Sequence, residues 1–355
     1  LTGTPPSTLS CSDSNSGQLL GEKALNIKTL IIFSRTYSSV YGKEEIAAIR
    51  QRVDLIADPL TREELAERPE LLADVEVIFS GWHSPVLDEA FLHAAPKLRA
   101  YFYAAGSVKG VVTNAVWQRK IRVSSAWGIN GASVADYTVG AILFSLKQGF
   151  SSAAAQRRQR SFTRLPLPAG VCGSTVAVIA LGASGRAVCE KLRPFGVRVI
   201  AHDPYVSPAT SRALGVTAMV SLPEAFAAAD VVSLHLPAND ETRGIVRASH
   251  LRTMPIGATL INTARGMVIH EAELIEVLKE RRDLTAILDV TEPEPPAPES
   301  PLFDLPNVVL TPHIAGALDR DARLLSRCMI EEFDRWSSGQ PLKWEIAQGD
   351  IERMA

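Results

Sequence analysis

From Ser174 onward the chain keeps one rhythm: a short, continuously apolar run, a helical stretch, then another apolar run. STVAVIAL (174–181), VRVIAHD (197–203), VVSLHLP (231–237), ATLINTARG (258–266), TAILDV (285–290) and VVLTPH (308–313) are the runs. GRAVCEKLRPF (185–195), LPEAFAAA (222–229) and HEAELIEVLKERR (270–282) are helical in pattern. Runs that do not alternate apolar with polar must be covered on both faces, as parallel strands are. Strands of this kind alternating with helices imply an α/β fold with a parallel sheet. The first third carries a similar series, with apolar runs at 29–34, 75–81, 98–106 and 121–126 and a helical pattern at 44–52. Two α/β domains are expected, a division that suits 355 residues.

Between the two series lies ASVADYTVGAILFSLKQGF (132–150), apolar on several faces. It is expected as one long helix buried between layers or subunits. RRQRSFTRLPLPAG (157–170) reads as a connection, and ARLLSRCMIEEFDRWSSG (322–339) as an amphipathic helix stopped by Gly339. Residues 1–23, rich in Ser, Thr, Gly and Pro, are expected to form a flexible tail and lack the apolar core of a signal peptide. No apolar run is expected to be long enough for a transmembrane helix. The net charge of −2 offers no basic field for nucleic acid or an anionic membrane. Cys11, Cys172, Cys189 and Cys328 form no CxxC pair and no disulfide framework, which fits the reducing cytoplasm. No metal site is expected.

VIALGASGR (178–186) is close to the G-x-G-x-x-G turn that binds dinucleotides, but Ala180 stands at the first glycine. Gly182 lets the backbone approach a pyrophosphate and Gly185 lets the helix pack against the strand. Alanine is expected to be tolerated at 180 provided its φ stays negative. Ser184 can offer a hydroxyl to a phosphate. Asp203 ends the next strand, 18 residues beyond Gly185. A carboxylate there accepts hydrogen bonds from ribose hydroxyls and repels a 2′-phosphate, which favours NAD over NADP. A plain strand–helix turn without a ligand is the competing reading.

NTARG (262–266), DVTEPEP (289–295) and TPHIAG (311–316) each place an ionisable residue just past an apolar strand. Ligands of open α/β sheets sit beyond the carboxyl ends of strands, so Arg265, Glu294 and His313 are candidates for one site. Each also has a plain alternative: a surface arginine, a solvated loop acid with Glu292 as its rival, a structural histidine.

These loops, together with SLHLPANDETRGI (233–245), resemble the D-isomer-specific 2-hydroxyacid dehydrogenases. The resemblance is strong over 174–316 and weak in the first third. It implies two Rossmann-like domains: a flavodoxin-like substrate domain from 24–126 joined by residues 318–355, and a doubly wound NAD-binding domain over 127–317. The active site would lie in the cleft between them. Arg265 would bind the substrate carboxylate, His313 would be the acid/base and Glu294 its partner. Asp203 would hold the ribose and Asp289 would stand near the nicotinamide carboxamide. Leu236, Pro237, Thr242, Thr263, Ala264 and Gly316 would complete the cofactor wall, with His313 also in contact with the cofactor. The backbone at Ala105 and Gly106 would hold the carboxylate, and Trp82 would either line the pocket or belong to the core. The family's frequent Gly-x-Asp-His is replaced by Gly106-Ser107-Val108-Lys109, so the substrate is not specified. His270 replaces a frequent aspartate and is expected to lose a helix cap. A homodimer through helix 132–150 is implied. The expected reaction interconverts a 2-keto acid and a D-2-hydroxy acid. Alternatives are a dehydrogenase of formate or phosphite, against which Glu294 argues, and an NAD-sensing binding protein resembling the C-terminal-binding corepressors.

Overall fold

The computed structural model describes residues 25–34, 39–162 and 164–354. The expected tail at 1–23 and Cys11 lie outside them. The chain divides into two compact units: one runs to Asn130 and takes up Ala317–Met354, the other is Gly131–Gly316.

The first unit contains β1 (Lys28–Ile32), α1 (Lys43–Arg50), β2 (Asp54–Leu55), α2 (Arg62–Ala66), β3 (Val77–Ser80), α3 (Glu89–Ala94), β4 (Ala100–Tyr103), α4 (Asn114–Gln118) and β5 (Arg122–Ser125). The strands are parallel in the order β2-β1-β3-β4-β5, the flavodoxin-like arrangement. Every residue of β3 and β4 is buried, as their unbroken apolar runs require. Leu30, Ile78 and Tyr101 face one core layer; Ile31, Phe79 and Phe102 face the other. The C-terminal helix, Asp319–Ser337, covers that second layer, where Phe333 meets Phe79 and Phe102 at ring-centroid distances of 5.7 and 5.9 Å. Arg52 grips Asp334 with two bonds of 2.7 and 3.0 Å. Buried Glu332 accepts from Ser124 Oγ, Lys343 N and Trp344 N at 2.8–3.0 Å. Those donors replace the water that the carboxylate loses.

The long helix differs from expectation at both ends. α5 spans Trp127–Leu146, so the boundary between units falls inside it rather than before it. Trp127 packs edge-on against Trp344, their centroids 5.3 Å apart, which fixes the first turn within the first unit. The helix breaks before Gln148, which takes the left-handed φ of 55°. Gln148 Nε2 donates to Pro168 O and Gly257 O, both at 2.9 Å, and Gly149 lies close under the Phe144 ring, which any side chain there would have to displace. A second helix, α6 (Gly149–Gln159), takes up the start of what reads as a connection. α5 is long and apolar enough to cross a membrane by length and composition, contrary to the sequence reading. Its Ala135, Val139, Ile142 and Leu146 are instead buried in the core of the second unit.

The second unit continues with β6 (Thr175–Ile179), α7 (Ala183–Leu192), β7 (Arg198–His202), α8 (Pro208–Ala213), β8 (Ala218–Met219) and α9 (Leu222–Ala228). It is completed by β9 (Val231–Leu234), α10 (Ala248–Thr253), β10 (Thr259–Asn262), α11 (Glu271–Glu280), β11 (Thr285–Leu288) and β12 (Val308–Leu310). Seven parallel strands run in the order β12-β11-β10-β9-β6-β7-β8. This is the doubly wound arrangement, and chain order reverses between β6 and β9, the switch point beyond whose carboxyl ends such sheets bind ligands. α11 also corrects the sequence reading: His270 does cap it, its Nδ1 accepting from Glu273 N at 3.4 Å. A neutral imidazole has one ring nitrogen free to accept, so it can stand in for the missing carboxylate.

Candidate active site

The glycine turn joins β6 to α7. Gly182 is the N-cap of α7 and no side chain caps it, so the first amides of the helix are free for an anion. A Cβ on Gly182 would meet nothing within 4 Å, which leaves space above the turn. A Cβ on Gly185 would lie 2.1 Å from Ala180 O, so only glycine lets the helix come this close to the strand. Ala180 itself has φ of +74°, against the expectation of a negative value. The turn keeps the geometry of a glycine, and alanine bears a left-handed strain of about 1 kcal/mol or more. Asp203 braces the same turn: its carboxylate accepts from Leu181 N at 2.7 Å, Tyr205 N at 2.8 Å and Val206 N at 3.1 Å. Ser184 is half-buried in the first turn of α7.

Arg265 and Glu294 come from loops after β10 and β11. Asn262 closes the first loop, accepting from Ala264 N at 3.1 Å and donating to Arg265 O at 3.0 Å. Gly266 then presses on the second loop, where a Cβ would stand 2.0 Å from Thr291 C and O. That approach, not legible in the sequence, seats the two loops side by side. Burial draws the half-buried Arg265 guanidinium below its usual pKa, and the charge of Glu294 opposes that shift. Its Nη1 donates to Ala264 O at 2.6 Å.

His313 completes the group. Its Nδ1 lies 2.6 Å from Glu294 Oε1. A carboxylate only accepts, so Nδ1 carries the proton and Nε2 is left for exchange with a ligand. Glu292 is not the partner; its N–H donates to Glu271 Oε2 at 3.0 Å. The histidine backbone is left-handed, φ 53°. Asp289 holds that conformation. Its main-chain O accepts from His313 N at 3.0 Å, and its carboxylate accepts from Thr311 Oγ1, Ile314 N and Ala315 N at 2.6–2.9 Å. Asp289 is buried, 2% exposed, and braces the histidine loop through these bonds.

The other expected residues are placed variously. Leu236, Thr242, Thr263 and Ala264 are buried and Pro237 and Gly316 half-buried, all in loops at the carboxyl edge of the second sheet. The Thr242 hydroxyl is spent within its own turn, donating to Pro237 O at 2.6 Å. In the first unit Ala105 is buried and its N–H already donates to Tyr103 O at 2.8 Å. Trp82 is half-buried and packs against both core layers of its unit.

Comparison with known proteins agrees with this arrangement. A family model described as D-isomer specific 2-hydroxyacid dehydrogenase, NAD binding domain, matches residues 140–315. A glyoxylate reductase of Korarchaeum cryptofilum is 30% identical over 276 residues, 76% of this chain and 82% of that protein. The chain belongs to the D-isomer-specific 2-hydroxyacid dehydrogenase family. A D-3-phosphoglycerate dehydrogenase of Archaeoglobus fulgidus is 30% identical over 309 residues, 87% of this chain and 56% of that protein. The chain spans about half the length of such curated relatives. The solved structure of TT0316 protein from Thermus thermophilus aligns with a TM-score of 0.71 at 27% identity, covering 90% of this chain and 100% of that one.

For a member of this family the donor set suits NAD. Free amides at the N-terminus of α7 match a pyrophosphate, and the open space over Gly182 leaves room for it. Asp203 stands at the end of β7, where the ribose acid of such a fold is found.

Proposed function

We propose that this chain catalyses the NAD-dependent interconversion of a 2-keto acid and a D-2-hydroxy acid. The observation that carries this reading is the His313–Glu294 pair at 2.6 Å, beside Arg265, on the edge of the sheet that also bears the glycine turn. When bound, the nicotinamide supplies or takes up the hydride. Arg265 binds the substrate carboxylate through its planar fork, and its poor solvation favours an anionic partner. His313 gives a proton from Nε2 to the carbonyl oxygen as the alcohol forms, and takes it back in the reverse direction. Glu294 fixes the ring and stabilises its charged form. Ala105, Gly106 and Trp82 are proposed to contact the substrate.

The test is a panel of glyoxylate, hydroxypyruvate, phosphohydroxypyruvate and bulkier 2-keto acids, with NADH consumption followed by absorbance. Turnover of one or more is expected; tight NADH binding with no turnover of any would sink the catalytic reading. NAD is proposed over NADP because Asp203 places a negative charge beside the ribose. NADH should therefore exceed NADPH in kcat/KM by roughly tenfold or more. Equal use of both would remove that claim. A homodimer through α5, where Phe144 is 49% exposed, is proposed as well. Light scattering that reports only monomer at every concentration would contradict it.

A further inference from the structure

Three polar side chains form a line behind the candidate acid/base. Tyr137 lies on α5, with its hydroxyl 2.8 Å from Thr311 Oγ1. Thr311 Oγ1 lies 2.6 Å from Asp289 Oδ1. An ionised carboxylate has no proton to give, so the direction of both bonds is fixed. Thr311 donates to Asp289, its lone pair is left to accept, and Tyr137 donates to Thr311. Burial holds the Tyr137 phenol above its usual pKa, which keeps that donor protonated. Beyond Asp289 the line passes into the backbone of the histidine loop. Its carboxylate takes Ile314 N at 2.8 Å and Ala315 N at 2.9 Å, on either side of its two oxygens. His313, whose left-handed φ of 53° is unfavourable for a side chain of its size, sits between Thr311 and these two amides.

We propose that Tyr137 and Thr311 are positioning residues for His313: they fix the Asp289 carboxylate, and through it the strained loop that aims the imidazole at Glu294 and substrate. The inference rests on the acid/base reading of His313. Neither residue touches a reacting atom. Their removal acts on the orientation of the ring and leaves the glycine turn, Asp203 and Arg265 in place. Misplacing a reacting group by a fraction of an ångström to an ångström costs up to roughly a hundredfold in rate. A strained backbone that persists only while its surroundings hold it is where such a loss arises.

The experiment compares wild type with Tyr137→Phe, Thr311→Val, Thr311→Ser and the double variant Tyr137→Phe/Thr311→Val. Three quantities are read. They are kcat and KM for whichever 2-keto acid of the panel wild type reduces best, the dissociation constant of NADH by fluorescence, and amide exchange of a peptide covering 311–316. Thr311→Val should lower kcat by about tenfold to a hundredfold and Tyr137→Phe by a smaller factor, with KM and NADH affinity within about twofold. Thr311→Ser, which keeps the bridging hydroxyl, should restore kcat. The double variant should match Thr311→Val alone, because Tyr137 acts only through that hydroxyl. Exchange at Ile314 and Ala315 should quicken in Thr311→Val. Wild-type kcat in Thr311→Val, additive losses in the double variant, or equal losses in kcat and NADH affinity would each overturn the proposal. If wild type reduces no 2-keto acid, the acid/base reading fails and the role assigned to Tyr137 and Thr311 in aiming His313 falls with it. Exchange at 314 and 315 then still decides whether the line holds the loop.

Discussion

Ala180 shows how a residue can be read correctly for its task and wrongly for its geometry. The sequence places it in a dinucleotide turn, and the belonging of the chain to an NAD-binding family agrees. The expectation of a negative φ fails because Gly185 packs on the Ala180 carbonyl, and that contact needs the peptide turned into the left-handed region. Ala180→Gly should therefore stabilise the protein by about 1 kcal/mol, read as a rise in the urea midpoint at unchanged slope. A lower midpoint would show that the strain is absent. His235 supplies a second residue-scale test. It is 6% exposed, its Nε2 lies 2.9 Å from Ser233 Oγ, its Nδ1 has no partner, and burial pulls its pKa down to about 4. The unfolded chain takes up this proton near pH 6.5, whereas the folded chain resists it until about 4. The stability is therefore present above pH 6.5 and is lost as pH falls toward 4, by about 3 kcal/mol from this group. His235→Asn should flatten that part of the pH profile; an unchanged slope would contradict the assignment.

At the scale of elements, the long central strands were legible because burial on both faces writes itself as an unbroken apolar run. β6, β9 and β10 fall inside the expected segments. α8, α10 and β8, of six, six and two residues, were not, since so few positions establish no period. The split between α5 and α6 was hidden for another reason. It depends on Gln148 reaching Pro168 and Gly257, contacts far along the chain. The pairing of His313 with Glu294 rather than Glu292 agrees with the sequence reading, whereas the part of Gly266 in seating the loops had no signal beyond a glycine in NTARG. Gly266→Ala forces apart the backbones after β10 and β11. It should cut kcat by a hundredfold or so while the fold of the first unit is kept. Near-normal turnover would mean that this contact does not set the Arg265–Glu294 spacing.

At the scale of the molecule, the two parallel sheets differ in what they contribute. The second gathers Gly182, Asp203, Arg265, Glu294 and His313 at the carboxyl ends of its own strands, and so carries the proposed cofactor and proton chemistry. The first carries AAGSVKG after β4 and FSGWHSP around the end of β3, where the family pattern is departed from. The proposed reaction type thus rests on motifs of the second half, while the first offers no motif that specifies the substrate. His313 is proposed to act chiefly by moving the proton rather than by holding the cofactor in place. This role is tested most directly by measuring turnover and NADH affinity together in His313→Gln. The loss in kcat should be about a hundredfold to ten-thousandfold with NADH bound as in wild type; parallel loss of both, or turnover that survives, would rule this role out.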